Sequence, residues 1–208
     1  MTKSVFFTLA LLVTLAANVH ATVTLQFSTA TAKLTNIQNA AGNAAGGLSW
    51  GIVVSTTDAT FAGGGTAYDG FTFPAAHTPV ALTSGLAATD DIFYWGGNVT
   101  SASVGGTDGG TNVITTLSNM VYSGAIGAGD RFALLWLDSN SNNGSKYGFL
   151  TDASFVLPPD GNTTSFSSIF AGPDPVRLAD NTFGAIPEPS RFLLVALGVL
   201  GVGLRRRR

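Results

Sequence analysis

RFALLWL, residues 131–137, decides the fold class. The run is unbroken in its apolar character and made of β-compatible side chains, so it reads as a strand buried on both faces. Earlier in the chain TVTLQFS, residues 22–28, alternates apolar and polar positions. That pattern predicts a strand with one buried and one wet face. Further strand candidates lie at 48–55, 91–95, 113–122 and 147–150. Between them stand breakers such as AGNAAGG, SVGGTDGG, SNSNNGS and LPPDGN. Helix signals are few, with a turn or two expected over 76–88, and no repeat of fixed period is present. Short strands joined by Gly-rich turns predict an all-β fold, a single β-sandwich or jelly-roll-like domain. The two ends add an expected N-terminal signal helix and a short C-terminal hydrophobic helix.

The chain has 208 residues, long enough to bury a core without staples, and it has no cysteine. Disulfides, thiolate metal sites and a cysteine nucleophile are thereby excluded. The overall charge of −2 averages unlike parts. Between Thr22 and Ser190 four bases (Lys33, Arg131, Lys146, Arg177) stand against eleven Asp and one Glu, a net of −8. Such a body offers no basic patch for phosphates, so nucleic acid is not an expected partner.

Both ends read as processing signals. Lys3 followed by the apolar run 5–17 and the tripeptide VHA is a secretory signal peptide over residues 1–21, with cleavage by signal peptidase after Ala21. The segment 192–204 is thirteen residues without a polar face. As a helix it would reach about 20 Å, short of a bilayer core of about 30 Å. Snorkelling arginines and local thinning would let it sit transiently in the inner membrane. Arg205, Arg206, Arg207 and Arg208 after it favour the cytoplasmic side, placing the body outside. Residues 173–186, rich in proline, acids and small residues, read as a linker, with Arg177 and Leu178 kept as the alternative of a last edge strand. The body is then 22–172 and the terminal signal 187–208.

The order Pro187-Glu188-Pro189-Ser190, apolar segment, arginine cluster resembles the PEP-CTERM sorting signal of Gram-negative and related bacteria. Arg191 stands where that family more often has Thr. The resemblance implies that Pro187, Glu188 and Pro189 are recognised by an exosortase, an integral-membrane cysteine transpeptidase-like enzyme. It implies that Arg205, Arg206, Arg207 and Arg208 are the topological stop. It also implies an exported protein, first membrane-inserted, then at the cell surface or in the extracellular polysaccharide of a biofilm.

Residues able to carry chemistry are sparse. His77 is the only histidine after signal removal, and no Gly-x-Ser-x-Gly elbow accompanies it. Asp90 and Asp91 are adjacent, which on a strand sends them to opposite faces rather than into one carboxylate pair. Asp138, Asn140 and Asn142 offer oxygens at alternate positions before a glycine, a candidate Ca²⁺ loop. Its glycine falls one place late and no Glu follows at the twelfth position, so a polar hairpin loop is the competing reading. Trp50, Trp136 and the run Phe93-Tyr94-Trp95 are either core or a sugar-stacking platform. No catalytic residue and no required cofactor is expected. The function expected is that of a non-enzymatic structural or interaction protein. The alternative is a carbohydrate-binding, lectin-like surface domain, with Ca²⁺ as its one candidate cofactor.

Overall fold

The structure is a computed structural model that describes residues 21–43, 46–62, 67–71, 74–75, 77–101, 112–138, 145–172 and 175–184. Residues 1–20 of the expected signal segment 1–21 and the hydrophobic segment 192–204 lie outside the described residues. So do Pro187, Glu188, Pro189 and Arg205, Arg206, Arg207 and Arg208, and in the candidate Ca²⁺ loop Asn140 and Asn142.

The described chain is all-β. Its strands are β1 Val23–Gln26, β2 Ile37–Gln38, β3 Ser49–Ser55, β4 Pro79–Ser84, β5 Ala87–Asn98, β6 Thr100–Ser101 and β7 Asn112–Val113. They continue with β8 Thr116–Met120, β9 Arg131–Leu137, β10 Lys146–Leu150, β11 Thr163–Ser165, β12 Arg177–Leu178 and β13 Asn181–Thr182. A 3-10 turn, Ser167–Phe170, follows β11.

RFALLWL is β9, and every residue from Phe132 to Leu137 is buried. It sits inside a six-stranded antiparallel sheet ordered β13-β10-β9-β3-β5-β4. Its side chains alternate between two cores, as strand geometry requires. Phe132, Leu134 and Trp136 join Trp50, Ile52 and Val54 of β3 on one face. Leu135 and Leu137 join Val53, Phe93 and Tyr147 on the other. TVTLQFS becomes β1, and its alternation holds: Val23, Leu25 and Phe27 are buried while Thr24 and Gln26 are half-buried. These side chains belong to the first core. The three-stranded sheet β11-β1-β8 therefore covers that face. Phe27 anchors the contact, with Trp50, Phe132, Phe155 and Phe166 ring centroids 5.8 to 6.2 Å away. The second face is covered by Tyr68 and Phe183, with Phe61 and Phe71 packed against them.

One expectation fails locally and a second holds only in part. The helical turn over 76–88 is replaced by the β4–β5 hairpin. Pro79 brings no amide to a helix, and Val80 and Thr83 are β-branched. Gly85 and Leu86 both take positive φ, +59° and +65°, the two-residue geometry that matches strand twist. Leu86 bears that conformation because the buried Asp69 carboxylate accepts the Gly85 amide at 3.1 Å and the Leu86 amide at 2.6 Å. Asp69→Ala is expected to cost about 1–3 kcal/mol by removing two charge-assisted bonds, read as a fall in the denaturant midpoint.

The second is the stretch read as a linker, 173–186, where the edge strand offered at Arg177 and Leu178 forms as β12. Its described residues are part of the body. β12 pairs in parallel with β2, β13 pairs with β10, and Ala179 and Phe183 are buried. The composition is that of a tether, but the two strand pairings, the buried Ala179 and Phe183, and the Arg177 guanidinium donating to the Thr35 carbonyl at 2.8 Å hold it. Residues 185 and 186 lie outside the described residues.

Candidate functional site

Asp90 and Asp91 do point apart. Asp90 Oδ2 accepts the Thr57 amide at 3.0 Å and the Thr57 hydroxyl at 2.8 Å. The Ser55 hydroxyl lies 2.9 Å from the same oxygen and 3.2 Å from Asp58 Oδ1, and donates to one at a time. Burial pushes the Asp90 carboxyl up, but the bonds from Thr57 and Ser55 outweigh it and leave it below its ordinary value. Asp58 is held low by the Thr60 amide and hydroxyl. Both carboxylates tie down the turn after β3.

Asp91 faces inward and is fully buried. Its Oδ2 accepts the Ala62 amide at 2.8 Å and the Tyr68 hydroxyl at 2.9 Å, while Oδ1 has no hydrogen-bond partner. Burial pushes this carboxyl up. The bonds from Ala62 and Tyr68 offset part of that, and the nearby charges of Asp90 and Asp58 add to it. Asp91 thus pins the segment carrying Phe61 and Tyr68 over the second core. The signal for this was present in the sequence, since Asp91, Phe93 and Trp95 share one strand phase.

His77 is exposed, with φ +62°, and its Nδ1 lies 3.2 Å from the Tyr94 hydroxyl. That hydroxyl also accepts the Val121 amide at 3.4 Å. No serine or carboxylate completes a relay with this pair among the described hydrogen bonds. The aromatic candidates Trp50, Trp136, Phe93 and Tyr94 are core side chains, and Trp95 is half-buried with its indole N–H donated to the Gly97 carbonyl at 3.1 Å.

Asp138 closes the β9–β10 hairpin. Its Oδ1 accepts the Lys146 amide at 2.9 Å, and its own amide donates to the Lys146 carbonyl at 3.0 Å. One of its carboxylate oxygens is therefore engaged in the hairpin. Among the described residues no group of three His, Cys, Asp or Glu side chains has an arrangement that would hold a metal ion.

A further candidate is the end of the chain. Its root is Gly184, whose amide donates to the Tyr68 carbonyl at 2.7 Å and whose carbonyl accepts the Gly70 amide at 3.1 Å. Beyond it, residues 185–208 match the PEP-CTERM protein-sorting motif. The chain carries a PEP-CTERM sorting signal. It is an exported protein, sorted at its C-terminus through exosortase processing to the cell surface or beyond. No match was found among curated proteins or among solved structures. Among the described residues no helix is long and apolar enough to cross a membrane; the apolar segment of the PEP-CTERM signal, 192–204, lies outside them.

Proposed function

We propose that this is a non-enzymatic structural or interaction protein whose β-sandwich-like body is cargo for the PEP-CTERM signal. In this reading signal peptidase removes residues 1–21. The precursor is held transiently in the inner membrane by 192–204, and the processed body resides at the cell surface or in the extracellular polysaccharide. The observation that carries the reading is the PEP-CTERM match at 185–208, joined to described aspartates that are engaged in the body's own turns and hairpins. Asp58, Asp69, Asp90, Asp91 and Asp138 each accept bonds from neighbouring backbone or hydroxyl groups.

Intact-mass measurement of the protein at the surface of the producing bacterium tests this. Wild-type protein is expected to lack the segment beyond the motif. A variant with Pro187→Ala, Glu188→Ala and Pro189→Ala is expected to accumulate with Arg208 still attached. Mature wild-type protein ending in Arg208 would refute the processing. For the body, a glycan array run with and without Ca²⁺ is expected to show no binding. Saturable binding would favour the lectin-like alternative.

A further inference from the structure

We propose that the last folded segment of the body, β13 with Phe183 and Gly184, is a clasp that opens before the sorting signal is processed. The proposal rests on the reading of 187–208 as a processed signal.

Only Ala185 and Ile186 separate Gly184 from Pro187. Three Cα-to-Cα steps span at most about 11 Å. An enzyme in the membrane that closes around Pro187-Glu188-Pro189 therefore meets the body almost at once. The residues just upstream are not available to it in the closed state. The Phe183 amide donates to the Ser145 carbonyl at 2.9 Å, and the Gly184 amide and carbonyl are bonded to Tyr68 and Gly70. The Phe183 ring is 2% exposed and packs 4.4 Å from the Tyr147 ring, centroid to centroid.

The clasp is also separable. β13 has two residues, lies at the sheet edge and pairs with β10 alone, while Gly184 bridges Asp69 and the Phe183 ring packs on Phe71 and Tyr147, so releasing the clasp breaks those contacts and leaves the ladder β10-β9-β3-β5-β4 intact. Edge segments held by so few bonds open locally without global unfolding. When opening and closing are fast relative to cleavage, the processing rate follows the open fraction.

A cross-link across the clasp tests this in the full-length chain. Lys146 and Thr182 are directly opposed and both exposed. The neighbouring pair, Ser145 and Phe183, is the hydrogen-bonded one. The Lys146–Thr182 pair is then of the non-bonded kind, with Cα atoms about 4.5 Å apart, within reach of a disulfide. Because the native chain has no cysteine, Lys146→Cys with Thr182→Cys can form only this bond within one chain.

In pulse-chase of the exporting cells, the oxidised double variant is expected to lose its tail about tenfold more slowly than wild type or worse, with reductant restoring the rate. Phe183→Ala, which loosens the clasp, is expected to be processed at least as fast as wild type. Processing of the locked chain at the wild-type rate would overturn the clasp, as would slow processing that reductant does not relieve. The triple-alanine motif variant separates this from failure of the sorting reading. If it too is processed normally, the signal assignment falls and the clasp falls with it.

Discussion

Gly148→Ala is expected to destabilise the body by about 3 kcal/mol or to prevent its folding, because there is no room for a single added carbon. Gly148 is buried in β10 and directly opposes Trp136 in β9. The Trp136 indole occupies the space above the Gly148 Cα. A Cβ at position 148 would fall on ring atoms Cε2 and Cζ2. The ring has little freedom to yield, since its N–H donates to the Gln38 carbonyl at 3.1 Å and its body fills the core beside Trp50. Overpacking usually costs about 1–3 kcal/mol, and swinging the indole would also leave a buried donor unpaired.

Urea unfolding of the mature body gives the measurement. A Trp136→Leu variant separates the clash from other effects of alanine. Gly148→Ala should cost much less in that background than in wild type, and the double-mutant cycle should show a coupling above about 1 kcal/mol. Equal costs in both backgrounds would refute the ring-over-glycine account. A related close approach occurs at Gly96, the unpaired residue at the β3–β5 register shift, where an added Cβ would lie 2.9 Å from the Trp50 ring.

β9, β3 and β1 were legible because each carries a run long enough to show its period. RFALLWL announced burial on both faces and TVTLQFS burial on one, and both are so arranged. The two-residue strands β2, β12 and β13 carry no period at all, and of these only β12, at Arg177 and Leu178, was offered by the sequence as an edge strand. They exist because Ile37, Ala179 and Phe183 find buried places, and such placement is set by tertiary contacts. The parallel pairings β1–β11 and β2–β12 join segments far apart in sequence, which local pattern does not encode. The β4–β5 hairpin was missed because its turn depends on Asp69, sixteen residues before Gly85. At the candidate site the contrast is sharper. The sorting motif is itself a linear order of residue types, so linear order was enough to find it. The duties of Asp69 and Asp91 depend on what folds over them.

Asp91 gives the second large effect. Asp91→Ala is expected to cost about 2–4 kcal/mol, since the Ala62 amide and the Tyr68 hydroxyl each lose this acceptor beneath the second core. Asp91→Asn is expected to behave differently, and its difference depends on pH. Burial raises the Asp91 carboxyl in the folded state, so the fold favours the protonated form. The contribution of Asp91 is then fully present below the unfolded value of about 3.9 and is lost as pH rises through the raised folded value. Asp58, Asp90 and Asp152 have the opposite sign. Their folded values are lowered, so their contributions are present at neutral pH and are lost only as pH falls through values below the ordinary carboxylate range. The two windows therefore lie on either side of about pH 4.

An asparagine at 91 keeps an oxygen for the Ala62 and Tyr68 donors and carries no charge at any pH. Its amide nitrogen replaces Oδ1, the oxygen without a partner, and leaves an unpaired donor there. The constant cost of that donor shifts the whole curve down, while the missing ionisation removes its slope. Measured across about pH 4 to 7, the gap between wild type and Asp91→Asn is expected to narrow, or to reverse in favour of asparagine, as pH rises. The gap between wild type and Asp91→Ala should narrow over the same range by the same ionisation, from a larger starting loss. A loss in Asp91→Asn that stays constant from end to end would mean that Asp91 does not titrate in this window. The buried, half-satisfied carboxyl would then be an ordinary structural acceptor.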